Sequence, residues 1–386
     1  MSKIRFIMLG GFLGAGKTTA IARLAKSLMQ QGLNVGIVTN DQAEGLVDTD
    51  LLRSQGFDVG EVAGACFCCK FDDLMTTVKE LATPIVDAQS KESRQRPDVV
   101  LTEPVGSCTD LIATVIEPIC HYFEADYTVA PLAVLLKPEH GTRIFSPPSQ
   151  AKTTKGGFSP QAEYIFLKQI EEAEIVAINK VDKIGVEKAQ EIASQISKKH
   201  PSKKIILLSG KTGIGFEQLL NWLQTENHQK RAAIEVDYEV YALGEAELGW
   251  LNGSVELTAT TNAQEASQTF PLDEVVAFVL STYQKDLAKQ GLEPAHVKTL
   301  LQTDDRLAVA NLVASESEAE LSVASNSRCE QGLLLFNARV AADPALLQSL
   351  FENVIVRTAN KFSLSTKILQ IQAFRPGKPE PTHRMD

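Results

Sequence analysis

The sequence predicts an α/β fold, a mainly parallel sheet with flanking helices, followed by a smaller α+β domain of ferredoxin-like, split β-α-β type. Three observations predict it. Strand-length apolar runs alternate with helix-period segments through residue 228. A glycine-rich stretch, GGFLGAGKTT at residues 10–19, joins the first strand to the first helix. Beyond residue 236 the alternation gives way to two long helical patterns set among extended runs. At 386 residues the chain exceeds a typical single core, so 1–228 and 236–386 read as two domains. The charged stretch TENHQKRAAIEV separates them.

The first strand is the apolar run 4–9, and the first helix is 18–31, with Ile21, Leu24, Ala25 and Leu28 on one face. Between them Gly11, Gly16, Lys17 and Thr18 fit G-x-x-x-x-G-K-[ST]. Backbone N–H groups of such a loop, here around Gly14, Ala15, Gly16 and Thr19, surround nucleotide phosphates. Lys17 reaches the terminal phosphates and the Thr18 hydroxyl ligates Mg²⁺. A bare turn needs neither the lysine nor the hydroxyl. The fold is therefore expected to be a P-loop NTPase.

Further strands are expected at 34–39, 98–102, 132–136, 175–178 and 204–208, and helices at 72–89, 111–123, 161–172, 186–200 and 216–224. Three strand ends carry further polar motifs. DVVLTEPVG offers Glu103, which can hold Mg²⁺ through water, and Gly106, whose N–H can meet a γ-phosphate. IVAINKVDKI places Asn179, Lys180 and Asp182 in an N-K-x-D pattern. An aspartate there accepts both N–H groups of guanine's Watson–Crick edge, so the base is expected to be guanine. In LLSGKTG, Ser209 and Lys211 close over that base. The segment TNDQAEGLVDTDLL, after the second strand, lies where nucleotide-sensing loops sit. Asp41 and Glu44 are its candidates for placing the attacking water or ligating metal.

Taken in order, GGFLGAGKTT, a CxCC cluster, EPVG, NKVD and SGKTG resemble the CobW-like P-loop GTPases, a group that includes metal chaperones and metallocentre-insertion proteins. The resemblance covers residues 3–226. It implies GTP as substrate, Mg²⁺ as cofactor, hydrolysis with Lys17, Asp41 and Glu103 as catalytic residues, and handling of a transition metal, Zn²⁺ or Co²⁺. It also implies an unidentified client metalloprotein or a cobalamin-related pathway; homodimer formation stays open. The family has glycine directly before its first cysteine, whereas this chain has Ala65 there and Gly64 one place earlier.

In GACFCCK, Cys66, Cys68 and Cys69 offer three thiolates within one turn of chain. Soft thiolates favour Zn²⁺, Cu⁺ and similar ions, and structural zinc takes four ligands. Three leave a position open for a cargo to depart, or for Asp41, Glu44, Cys108 or His121 to fill. The alternative is a regulatory GTP-binding protein whose cysteines are structural or redox-active. Cys108, Cys120 and Cys329 otherwise read as isolated buried small hydrophobes. No catalytic glutamine or arginine finger stands out, so slow intrinsic turnover is expected.

Composition narrows the rest. A net charge of −10 argues against a nucleic-acid-binding surface, no apolar run reaches a membrane span, and clustered cysteines fit a reducing cytosol. The polar stretch 137–160 reads as a long loop that is either mobile or used for binding. In the second domain, 238–260 reads as extended with a turn at Asn252 and Gly253. Helices are expected at 272–290 and 344–360, strands at 296–301, 307–314, 318–324, 332–341 and 367–374. Trp250 reads as core, and recognition of the client is the domain's expected task.

Overall fold

The computed structural model describes residues 2–43, 45–86, 93–138, 159–260, 268–312 and 319–386. Glu44 and most of the loop expected at 137–160 lie outside them. The chain divides into two compact units, one of Met1–Gln42, Gln55–Gly244 and Lys378–Asp386, the other of Ala43–Ser54 and Glu245–Gly377. The stretch 225–236 falls inside the first unit.

The first unit is built on β1 (Ile4–Gly11), β2 (Val35–Asn40), β3 (Asp58–Val62), β4 (Val99–Glu103), β5 (Tyr127–Val129), β6 (Ala133–Leu136), β7 (Ile175–Ile178) and β8 (Lys204–Leu207). Their order is β8-β7-β6-β1-β4-β2-β3, with β5 also paired to β1, and every pairing is parallel. The central strands are apolar on both faces because helices cover both: Phe6, Ile7 and Leu9 of β1 are all fully buried. Parallel strands bring all their carboxyl ends to one edge, so the loops after β1, β2, β4, β7 and β8 gather there.

Two helices differ from expectation. α1 (Lys17–Gln30) and α2 (Val47–Ser54) precede α3 (Phe71–Ala82), which stops short of residue 89 because Thr83 precedes Pro84. The helix expected at 111–123 opens as a π-turn over Ile112–Ile116 before α4 (Glu117–Tyr122). Pro118 has no N–H to return to the preceding turn. The edge strand β3 and the short β5 were not expected; neither carries a run of apolar residues long enough to stand out.

The second unit carries β9 (Gly249–Ala259), β10 (Pro294–Gln302), β11 (Leu307–Leu312), β12 (Glu320–Val323), β13 (Gln331–Val340) and β14 (Leu364–Phe374), ordered β12-β11-β10-β13-β9-β14 and antiparallel throughout. Strands β9, β10, β13 and β14, with the long helices Leu272–Lys289 and Pro344–Phe362, form the split β-α-β arrangement expected. The reading of 238–260 is corrected: Tyr238–Ala246 is helical, and β9 runs unbroken through Asn252 and Gly253. Gly253 serves packing there. A Cβ on it would lie 2.6 Å from the Phe351 ring.

Alternation along the strands gives this sheet two buried faces. Leu301, Leu334 and Phe336 face the long helices, whereas Leu300, Val309 and Leu335 meet Val47 of α2. Asn337 accepts the Val47 N–H at 2.8 Å and donates to the Gly45 carbonyl, and Lys298 pairs with Asp48. Trp250 is 1% exposed, under the Arg339 guanidinium at 4.0 Å. The segment that follows Asp41 and Gln42 is thus folded into the second unit.

In the first unit the chain after Thr225 is held by His228, whose ring lies between Glu174 (Nδ1 to Oε2, 2.8 Å) and Glu117 (Nε2 to Oε1, 3.0 Å). Burial disfavours the imidazolium, but hydrogen bonds and charge from Glu174 and then Glu117 outweigh it, raising His228 above 6.5. Burial likewise opposes the Glu174 carboxylate, and His228 outweighs it, holding Glu174 below 4.5. A raised histidine stabilises fully below 6.5 and loses this as pH rises through its folded value; a depressed glutamate stabilises fully above 4.5 and loses this as pH falls. The clamp is strongest between those values. Urea unfolding of His228→Gln should show a larger loss relative to the unsubstituted chain at pH 6 than at pH 8.5.

Candidate functional site

Along the edge where the strands end, the loop after β1 turns on three glycines with positive φ: Gly11 (130°), Gly14 (72°) and Gly16 (90°). A side chain is excluded at Gly11, where a Cβ would sit 2.3 Å from the Leu135 carbonyl, and at Gly16, where it would sit 2.6 Å from Asn179. The loop closes with the Ala15 N–H on the Phe12 carbonyl at 3.1 Å. Lys17 is buried and its ammonium donates to the Gly11 carbonyl at 3.0 Å, pointing back across the loop. Thr18 donates its hydroxyl to Glu103 Oε1 at 3.1 Å, so the motif hydroxyl and the carboxylate at the end of β4 converge.

The loops after β7 and β8 join this one through side chains. Asn179 donates to the Ala15 carbonyl at 2.7 Å and accepts the Gly210 N–H at 3.0 Å. Lys180, at φ 63°, donates to the Gly14 carbonyl at 2.8 Å. Ser209 donates to Asp182 at 2.6 Å and accepts the Thr212 N–H. A Cβ on Gly210 would lie 3.2 Å from the Thr19 methyl, so that loop approaches the start of α1 closely. Lys211 is exposed, with its carbonyl held by Arg23. All these motif residues are brought together at one edge.

The cysteines sit in the turn between β3 and α3. The Cys66 sulfur lies 2.8 Å from that of Cys68 and 3.2 Å from that of Cys69, and the latter two are 3.7 Å apart. The three sulfurs lie within 4.8 Å of one another and could together hold a metal ion. Gly64, at φ 91°, makes the turn into them, which is why the glycine stands one place before Ala65. The turn is fastened to the end of β2. Asn40, 5% exposed, donates to the Val62 and Ala65 carbonyls at 2.8 and 2.7 Å and accepts the Phe67 N–H at 2.9 Å. Asp41 accepts the Gly64 N–H on its backbone carbonyl and the Gln42 N–H on its side chain.

Hydrogen bonds received from Cys108 first, then from Cys68 and Cys69, outweigh burial and hold the Cys66 thiol well below its ordinary value. Cys68 is raised well above that value by its hydrogen bonds to Cys66 and Cys69 and by burial, and Cys69 is pushed up to about 11 by its hydrogen bond to Cys66. Cys66 is therefore the thiol of the three that gives up its proton most readily, and binding of a cation to such a cluster would release protons. Cys108 is buried, as expected, and although it acts on the Cys66 thiol it stands outside the group of three sulfurs among the described residues that could hold a metal. His121 instead pairs with the Tyr122 ring at 4.8 Å, and Asp41 and His121 are not part of the ligating group among the described residues.

Three contributors escaped the sequence reading. Asn40 lies in an unremarkable TND. Gln169, 2% exposed in the helix Pro160–Glu172, donates from Nε2 to the carbonyls of Gly106 (3.0 Å) and Cys108 (2.8 Å). Residues Lys378–Asp386 strap the cluster: the Glu380 N–H meets Cys69 Sγ at 3.2 Å, the Thr382 N–H and hydroxyl bond the carbonyls of Cys68 and Cys69, and the Met385 N–H bonds the Ala113 carbonyl. Arg384 pairs with Asp110 at 2.9 Å, and the His383 ring packs on Phe71 at 5.0 Å. Pro379 and Pro381 keep the strap extended at little entropic cost. Removing residues 379–386 should speed alkylation of Cys69 by iodoacetamide, read by mass spectrometry; an unchanged rate would mean that the strap does not shield the thiol.

A family model described as CobW/HypB/UreG, nucleotide-binding domain, matches residues 5–207. No curated protein matches the chain. Among solved structures it is similar to HypB from Helicobacter pylori in complex with nickel, at 19% identity over 57% of this chain and 86% of that one, with a TM-score of 0.40. It is also similar to Zn(II)-bound YjiA GTPase from E. coli, at 13% identity over 92% and 99%, with a TM-score of 0.36. The family match takes in more than half of the chain, from β1 to the end of β8, together with the glycine loop, Glu103 and the Asn179–Asp182 motif, and on this evidence the chain belongs to the CobW/HypB/UreG family.

Proposed function

We propose that the chain is a GTP-hydrolysing metallochaperone that couples its nucleotide state to binding and delivery of a transition metal, Zn²⁺ or Co²⁺. The observation that carries this reading is the attachment of the Cys66–Cys69 turn, through Asn40, to the same sheet edge that holds the glycine loop. Gly14, Ala15, Gly16, Thr18 and Thr19 line the phosphate loop, and Lys17 supplies its positive charge. Thr18 and Glu103 are two buried oxygen donors 3.1 Å apart, a hard-ligand pair that fits Mg²⁺, Glu103 acting through water. Magnesium, when bound, neutralises charge on the terminal phosphates.

Asp182 reads the guanine edge while Ser209 fixes its carboxylate, and Asn179, Lys180 and Lys211 hold the loops around the base. Gly106 offers its N–H to the γ-phosphate, and Asp41 orients the attacking water. No arginine finger stands out in the sequence motifs, which favours slow turnover. Ordering of the Asp41 and Gly106 loops by the triphosphate and their relaxation after hydrolysis change the metal affinity of Cys66, Cys68 and Cys69. The cargo passes to a client metalloprotein or a cobalamin-related pathway in the cytosol, with the second unit recognising the client. Support for that last role comes from Ala43–Ser54, which follows Asp41 and folds with the second unit.

Zinc titrations of the reduced protein with GDP and with a non-hydrolysable GTP analogue should give affinities differing by roughly 5- to 150-fold. Equal affinities would remove the coupling. Asp182→Asn should lower the preference for GTP over ATP by about tenfold or more. Calorimetry finding the same GTP affinity in that variant would reject the guanine assignment.

A further inference from the structure

We propose that Lys378–Asp386 is a displaceable lid on the cysteine cluster, an extended segment seated in a groove from which it lifts for metal to enter or leave. This rests on the metallochaperone reading and names the step that sets its rate. Cys66 and Cys68 are 2% and 1% exposed, and of the three cysteines only Cys69 is partly open to solvent. A soft cation that is to reach the group therefore arrives past Cys69. The strap crosses at that point, with the Glu380 N–H on Cys69 Sγ at 3.2 Å and Thr382 bonded to the Cys68 and Cys69 carbonyls.

The groove suits an extended chain. From Pro379 to Asp386 the odd-numbered residues are buried or half-buried and the even-numbered ones exposed, the period of two of an extended segment. The backbone N–H groups of Glu380, Thr382 and Met385 reach one sulfur and two carbonyls, outside any sheet ladder. On the inward side the His383 ring lies 5.0 Å from that of Phe71 and 5.4 Å from that of Tyr122. Further along, Arg384 donates to Asp110 and to the Ile234 carbonyl, each at 2.9 Å. Asp110 is 1% exposed and also accepts the Tyr238 hydroxyl at 2.6 Å.

Attachments of this kind open together and close again. Of residues 378–386 only Pro379 is buried, so lifting the segment exposes little apolar surface and costs far less than unfolding the unit. Gly377, immediately before the strap, is exposed, and a Cβ on it would meet nothing within 4 Å, which leaves the chain free to turn there. Pro376, Pro379 and Pro381 restrict the lifted segment, so less conformational entropy is lost when it settles back. Arg384 is the latch. Its release strands the buried Asp110 carboxylate, whereas Lys378 pairs with Glu239 at the surface, where water replaces the partner.

The test uses the reduced full chain with zinc alone as probe. Zinc uptake and zinc loss to excess EDTA should both quicken about tenfold or more in Arg384→Gln, as expected when a charge-assisted hydrogen bond is lost, while the equilibrium affinity changes far less than either rate. Loss of a ligand would instead weaken the affinity itself. Thr382→Val, which gives up one hydroxyl bond and keeps its N–H, should fall between the two proteins. In the metal-free chain the Glu380, Thr382 and Met385 amides should share one degree of protection from hydrogen exchange, lowered together in Arg384→Gln at an unchanged melting temperature. Zinc rates unchanged in Arg384→Gln although those amides exchange faster, or amides without protection in the unsubstituted chain, would overturn the lid and leave metallochaperone function standing. Absence of zinc binding by the unsubstituted chain would overturn that function and the gating with it.

Discussion

Two buried amides decide where the sulfur atoms are. Asn40 engages both of its N–H groups and its oxygen on the backbone of the cysteine turn, and Gln169 engages both of its N–H groups on the turn that carries Cys108. A carboxamide offers two donors and two acceptor sites, so three of the four are used by Asn40. Inside the protein such bonds are strong and expensive to leave unmade, about 1–3 kcal/mol for each buried group stranded. Neither turn can slide along its amide without breaking two bonds together. Each is held to the strand or helix behind it as a unit.

The glycine loop, NKVD and SGKTG were legible in the sequence because each is a local pattern whose chemistry is complete within a few residues. Parallel topology then brought them together, since carboxyl ends of parallel strands share an edge. The two long helices and strands β10, β11, β13 and β14 of the second unit were legible for the same reason: periodicity is local. What escaped depends on partners far along the chain. Cys108 has no cysteine beside it, and only the fold brings it to Cys66. Asn40 and Gln169 look like any polar residue at a strand end or on a helix. Residues 378–386 show no periodicity, and their order comes from hydrogen bonds to Cys68, Cys69, Asp110 and Ala113. Asn252 and Gly253 misled in the opposite sense, because Asn-Gly is a strong turn signal that packing against Phe351 overrides.

The segment Ala43–Ser54 adds a mechanical consequence. It follows Asp41 by two residues, yet it is held by the second unit's sheet through Val47, Asp48 and the Gly45 carbonyl, with Asn337 and Lys298 as polar partners. A sheet of this topology normally leaves the face away from its helices to solvent. Here that face is buried under α2. The chain after β2 therefore passes within two residues of Asp41 into a segment fixed to the second unit's sheet.

Magnitudes limit what a nucleotide could do to a metal held by such a cluster. Structural zinc in zinc-finger peptides binds with about 10–16 kcal/mol, far more than the 1–3 kcal/mol that one site typically exerts on another. A nucleotide switch asked to dismantle the Cys66–Cys69 turn itself would fail by that arithmetic. Moving a single ligand is within its reach, since the change needed is only the difference between a closed and an open coordination shell.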